Sequence, residues 1–283
     1  MPHTQTTPDA PGNCVFVDAH VHIHDCFDID RFLDAAAMNF RSHVPAERVR
    51  ESRFVLCLTE TCGANKFGVL SGRAGSPADG WQLRTDGDRR SLIAAHSRLG
   101  EMELVAGRQI VTAEKLEVLA LGTRQEWDDG LPAEAVIRSV LEAGAIPVLP
   151  WGFGKWLGRR RRVIESLIET FDDGSVYLGD NGGRSAVLPT PPEFALAQAR
   201  GLRVLPGSDP LPFESEYSRA GSFGFQVDGL SAKDGVWPGL CAMLQRGEGE
   251  LKPFGRLESP IRFSRNQIDM QYRTRIASRK RAA

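Results

Sequence analysis

The sequence predicts a (β/α) barrel of seven or eight units, TIM-like in plan, and three observations predict it. About seven strand-then-helix pairs alternate along the 283 residues, and right-handed crossovers join such pairs into a parallel sheet. The first predicted strand runs into HVHIHD, whereas an open doubly wound sheet usually starts with a Gly-rich turn. Polar residues stand at successive predicted strand ends, the rim on which barrels carry their chemistry.

The elements follow in order. VFVDAHV (15–21) reads as a buried strand and IDRFLDAAAMNF (29–40) as a helix with apolar residues at helical spacing. RFVLCLTE (53–60) is a second strand. Residues 61–90, rich in Gly, Ser, Asp and Arg, read as a long loop or hairpin excursion of the kind that covers active sites. SLIAAHSRLG (91–100) reads as a helix stopped by a C-cap glycine. MELVAGRQI (102–110) and KLEVLALG (115–122) read as two strands about a short turn. Helices at 131–145, 161–171 and 191–201 alternate with strands at 146–152, 175–181 and 202–210. Pro132 opens the first of these helices and Gly144 lies near its end. A helix around 231–247, weakened by its own Gly and Pro, follows.

Composition bounds the partners. A net charge of −1 gives no whole-molecule pull toward nucleic acid or anionic membrane. No apolar run is long enough to span a bilayer, and MPHTQTTPDAPGN lacks the layout of a secretory signal. Residues 1–13 are expected to be a disordered lead-in, residues 14–265 the barrel, and residues 266–283 a basic tail. Five scattered cysteines suit reduced thiols in a cytoplasm. Six of the 35 basic residues are lysine and the rest arginine. A GC-rich genome explains that bias blandly, and phosphate or carboxylate recognition explains it chemically.

Reading the strand ends in order collects the candidate site. The first gives His20, His22 and His24, the second Glu60, the third Gln109, the sixth Asp180 and Asn181, and the seventh Ser208 and Asp209. Side chains at i and i+2 of a strand share a face. His20 and His22 can therefore reach one ion together, and imidazole suits Zn, Mn or Fe. The bland alternative is a polar strand end without metal. Asp209, in LPGSDPLP, either ligates the ion, accepts a proton from a bound water, or simply caps a turn. Glu60 and Asp180 are further candidate ligands, and Asp25 stands close by in sequence.

VDAHVHIH, GRQIVTAEKLEVLALG, YLGDNGGRSAVLP and LRVLPGSDPLP resemble the motifs of polymerase-and-histidinol-phosphatase (PHP) domains, and more widely of amidohydrolase-like metal-dependent hydrolases. Their order and spacing match over roughly residues 15–212. The resemblance implies a distorted (β/α)7 barrel and metal-dependent hydrolysis, often of phosphate esters. Three positions depart from the pattern. Gln109 stands where such domains usually carry glutamate, Leu149 near a usual histidine, and Leu211 where a histidine follows the GSD. No histidine occurs after His96, so a site built on four or more histidines from several strands is excluded. One divalent ion, or at most two, is expected. Gln109 can still offer a carbonyl oxygen, but no charge.

Lys155 and Arg159 follow a strand end at a helix start, a position suited to an anion, and with Asn181 and Arg184 they are the candidate substrate contacts. A solvated basic helix face is the alternative. WGFGKWLG is not a P-loop, because Leu149 and Trp156 occupy two of its required positions. The basic tail can contact nucleic acid or acidic lipid, yet without interleaved aromatics it is expected to be a disordered solubilising segment. Together these readings predict a cytoplasmic metal-dependent hydrolase acting on a phosphoester or other small anionic substrate. The alternative is a catalytically degenerate binding or regulatory protein on the same fold.

Overall fold

The computed structural model describes residues 14–76, 80–85, 87, 89–172, 174–230 and 235–282, with side chains to 273. The expected lead-in at 1–13 lies outside these residues, as do 231–234 at the start of the last expected helix.

The chain is mixed α/β with two sheets, and these do not form a closed, continuously hydrogen-bonded barrel. The larger sheet contains β1 (Cys14–Val21), β2 (Ser52–Leu58), β3 (Gln82–Arg84), β4 (Ser91–His96), β5 (Gly100–Val105), β11 (Phe223–Val227) and β12 (Lys252–Gly255). Its order is β12-β11-β1-β2-β5-β4-β3. The smaller contains β6 (Gly107–Val111), β7 (Glu117–Leu121), β8 (Ile146–Pro150), β9 (Tyr177–Asn181) and β10 (Val204–Gly207), in the order β10-β9-β8-β7-β6. The expected all-parallel pairing holds for β1–β2, β2–β5, β8–β9 and β9–β10, while β3–β4, β4–β5, β6–β7, β7–β8, β1–β11 and β11–β12 are antiparallel.

The sheets meet at two seams. On one, Glu60 N donates to Gly107 O at 3.1 Å and Gln109 N to Glu60 O at 2.8 Å. On the other, Asp209 N donates to His20 O at 2.8 Å. Both seams need glycine. A Cβ on Gly107 would lie 2.3 Å from Leu58 O, and one on Gly207 2.4 Å from His20 N. MELVAGRQI was expected to be one strand. It divides at Ala106–Gly107, where the chain passes from one sheet to the other.

The helix expected at 91–100 is instead strand β4 and its turn into β5. Four consecutive buried residues, Ser91–Ala94, leave no alternation to read. Gly100, taken as a helix cap, supplies the positive φ of the turn at 88°. His96 Nδ1 accepts the amides of Arg98 and Leu99, both at 3.2 Å, and closes that turn.

The helices α1 (Ile29–Ser42), α3 (Ala133–Glu142), α4 (Arg159–Thr170), α5 (Pro192–Ala199) and α6 (Val236–Gln245) fall where periodicity places them. The stretch 61–90 also holds a short helix, α2 (Lys66–Ser71), besides β3. A long helix, α7 (Pro260–Ala282), runs through the expected boundary between barrel and tail, so the tail read as disordered is helical through residue 282. No helix among the described residues is long and apolar enough to cross a membrane.

Strand parity sorts the core. Val15, Val17 and Ala19 of β1 point between the sheets, to meet Val55, Leu119, Val148, Tyr177 and Leu205. Phe16 points the other way, to Phe40 of α1. Helices α3, α4 and α5 cover the smaller sheet. Helix α6 closes the inter-sheet core: Trp237 is fully buried, and Gly122 leaves the space its ring fills. The carboxylate of buried Glu103 caps α6, accepting Val236 N at 2.8 Å. Removing the Trp237 ring opens a cavity at the centre of this cluster. Trp237→Ala is expected to cost ~3–5 kcal/mol in urea denaturation, and a loss below ~1 kcal/mol would show that α6 is not part of the cooperative core.

Candidate metal centre

The bond that fixes the site is made by Asp18, which sequence reading passed over as a strand residue. It is fully buried on β1. Its carboxylate accepts Ser208 N at 2.8 Å, Ser208 Oγ at 2.5 Å, Gly221 N at 2.8 Å and His20 N at 3.3 Å. Burial pushes its pKa up to about 6, against the pull of these donors. One side chain thus ties the end of β1 to the chain leaving β10. The signal was in VDAH: an acid inside an apolar strand needs buried donors to face it.

This tie sets His20 and His22 opposite Asp209. His20 Nε2 lies 3.1 Å from His22 Nε2 and 3.3 Å from Gln109 Oε1. Asp209 Oδ1 lies 3.5 Å from both imidazole nitrogens. Asp209 adopts a left-handed φ of 47°, which Asp tolerates better than most residues, and this aims its carboxylate back at β1. Asn181 Nδ2 donates to Asp209 Oδ2 and, through Oδ1, accepts Gly183 N at 2.7 Å. Asn181, expected to touch substrate, therefore orients Asp209.

The environment keeps the donors available. Burial, helped by neighbouring His20, drives the His22 pKa down to about 3, so its ring is neutral at physiological pH. Burial works to raise the Asp209 carboxyl, but His20, His22, Lys155 and the Asn181 amide hold it below the usual carboxylate range. His20, His22 and Asp209 each offer one donor atom, all within 4.8 Å of one another, as a group that could hold a metal ion. Tetrahedral ligands at ~2.0–2.1 Å from an ion stand about 3.3 Å apart, and the spacings here are of that size. Two imidazoles, one carboxylate and one amide oxygen fit a borderline divalent ion.

The other expected site residues go elsewhere. Glu60 accepts Phe67 N at 2.7 Å and pairs with Arg108 at 3.2 Å, and burial raises its pKa. Asp180 is gripped by Arg184 through two bonds of 2.9 Å, so this expected ligand and this expected substrate contact satisfy each other. Lys155 pairs with Glu117 while its charge still reaches Asp209. Arg159 is exposed at the start of α4. Exposed Asp25 pairs with Lys66 at 2.6 Å. His24 does not join the group: its Nε2 donates to Pro210 O at 2.8 Å and steadies the turn after Asp209. Leu149 is fully buried against the outer helices, so position 149 faces away from the rim.

No protein-family model matches the chain, and no curated protein does. Among solved structures it is similar to PsfC from Pseudomonas syringae PB-5123, at 17% identity and a TM-score of 0.60, over 92% of this chain and 99% of that one. It also matches the lesion-specific endonuclease PfuEndoQ from Pyrococcus furiosus, at 12% identity and a TM-score of 0.48, over 85% of this chain and 57% of that one. The likeness to PsfC shows a shared fold.

Asp18→Asn replaces an acceptor-only group with an amide that must turn its own N–H groups toward buried donors. With each unpaired buried group costing ~1–3 kcal/mol, the variant is expected to lose about 3–5 kcal/mol in chemical denaturation. A stability within ~0.5 kcal/mol of the parent would mean that Asp18 does not hold the seam.

Proposed function

We propose that this protein is a metal-dependent hydrolase acting on a phosphoester or another small anionic substrate. The observation that carries the reading is the convergence of His20 Nε2, His22 Nε2 and Asp209 Oδ1 at ligand-like spacing where β1 meets the chain leaving β10. These three residues would hold one Zn, Mn or Fe ion, with Gln109 Oε1 as a neutral fourth donor beside His20. A divalent ion there supplies Lewis acidity, which draws the pKa of water from 15.7 toward ~7.

The chain's own groups then divide the remaining work. Asp209 is a ligand rather than the general base, because Oδ2 is already taken by the Asn181 amide. Of the two metal-linked roles open in the sequence, ligand or proton acceptor, the hydrogen bonding favours the first. The neutral imidazoles and one carboxylate leave a divalent ion with uncompensated positive charge. An anionic substrate is favoured for that reason, and Lys155 adds to the field at Asp209. The PHP-like motifs support phosphoester over amide. A binding or regulatory role on the same fold is the competing reading, and neutral Gln109 with apolar Leu211 motivates it.

The test is elemental mass spectrometry on untagged protein purified without chelators, alongside a His20→Ala/His22→Ala variant and a phosphoester panel. Near-stoichiometric metal and measurable hydrolysis are expected, both lost in the variant. Protein that stays metal-free after reconstitution, or loaded protein inert across the panel, would favour the binding role.

A further inference from the structure

The opposite end of the fold carries a second polar feature. Cys14 and Ser52 are register partners at the starts of β1 and β2. At ~3.3 Å per residue, the start of β1 lies about 20 Å from His20. There a cavity of about 500 Å³ opens between the end of α1, the start of β2 and the β4–β5 turn. Arg41, Arg50, Arg53 and Arg98 line it, and Glu101 is the acid of its wall.

That acid is already engaged, since both Glu101 oxygens accept from Arg84 Nη2 at 3.0 Å. Among the described residues, none of the four lining guanidiniums forms an ion pair; two of them bond main-chain carbonyls instead. Arg41 Nη1 donates to Leu99 O at 3.4 Å, and Arg53 Nη1 to Ser52 O at 3.1 Å and Arg50 O at 3.3 Å. Arg50 and Arg98 are exposed.

Four guanidiniums beside one carboxylate, itself held by Arg84, leave an excess of positive charge, and guanidinium forks match phosphate oxygens better than they match water. A solvated basic face would spread such charges over convex surface. Here they line a concavity within the ~300–1,000 Å³ range of ligand pockets, where walls of low dielectric focus the field. Val49 and Leu99 add an apolar wall beside the charges. The lining cations are all arginine, with no lysine among them.

We infer that this cavity binds a small molecule carrying a di- or triphosphate, at a site separate from the proposed metal centre. The inference stands whether or not that centre is catalytic. Calorimetric titration of the full chain with ADP and with inorganic pyrophosphate tests it, using chelator-treated protein at low ionic strength. Both probes are expected to bind. The Arg50→Ala/Arg98→Ala variant, altered only at exposed side chains, should bind them at least ~10-fold more weakly as paired phosphate contacts are lost. The His20→Ala/His22→Ala variant should bind as the parent does. Absence of binding at millimolar probe overturns the inference, as does an arginine variant equal to the parent. Loss of binding in the histidine variant alone would move the phosphate to the metal centre. A short oligonucleotide that binds more tightly than ADP would overturn the small-ligand assignment.

Discussion

The buried carboxylate of Asp18 is the constraint on which the rest of the site depends. It holds the Ser208 amide and hydroxyl, the Gly221 amide and the His20 amide at once. Besides it, Asp209 N to His20 O, close glycine packing and the apolar cluster of Val17, Ala19 and Leu205 fix the approach of two strands from different sheets. A buried charge is costly, so it persists only where donors surround it. Here two of the donor residues are His20, a candidate ligand itself, and Ser208, which precedes Asp209. Stability and ligand geometry are therefore set by one group.

The packing explains why the site sits where β1 meets the chain leaving β10. Helix α6 and Trp237 fill one part of the space between the sheets. At the other, the strands end in polar residues that pair in fixed ways: Asp180 with Arg184, Glu60 with Arg108, Lys155 with Glu117. These pairs use up most of the charge on the rim. His20, His22 and Asp209 remain facing one another, steadied by Asn181 and, through the Pro210 carbonyl, by His24. Two imidazole nitrogens beside one carboxylate oxygen form the donor set.

Much of this was legible in the sequence, for definite reasons. The period of two placed His20 and His22 on one face, and the GSD at a late strand end placed Asp209 opposite them. Helical periodicity located α1, α3, α4, α5 and α6. The failures are equally physical. SLIAAH is buried through four residues, so its strand has no alternation to announce it, and Gly100 serves a hairpin as readily as a helix end. Antiparallel pairing and the separation into two sheets depend on contacts distant in sequence, such as β1 with β11. The partners of Glu60, Asp180 and Lys155 are tertiary as well: a strand-end carboxylate looks the same in sequence whether it faces an ion or an arginine.

One seam between the sheets brings three donor atoms together, at a place where a divalent cation would be held. Anomalous diffraction from crystals soaked in Zn or Mn, with data on both sides of the metal edge, tests it most directly. A single strong peak is expected within bonding distance of His20 Nε2, His22 Nε2 and Asp209 Oδ1, absent from crystals of Asp209→Asn. A peak at Glu60 or Asp180 with none between the histidines, or no peak at saturating metal, would contradict it.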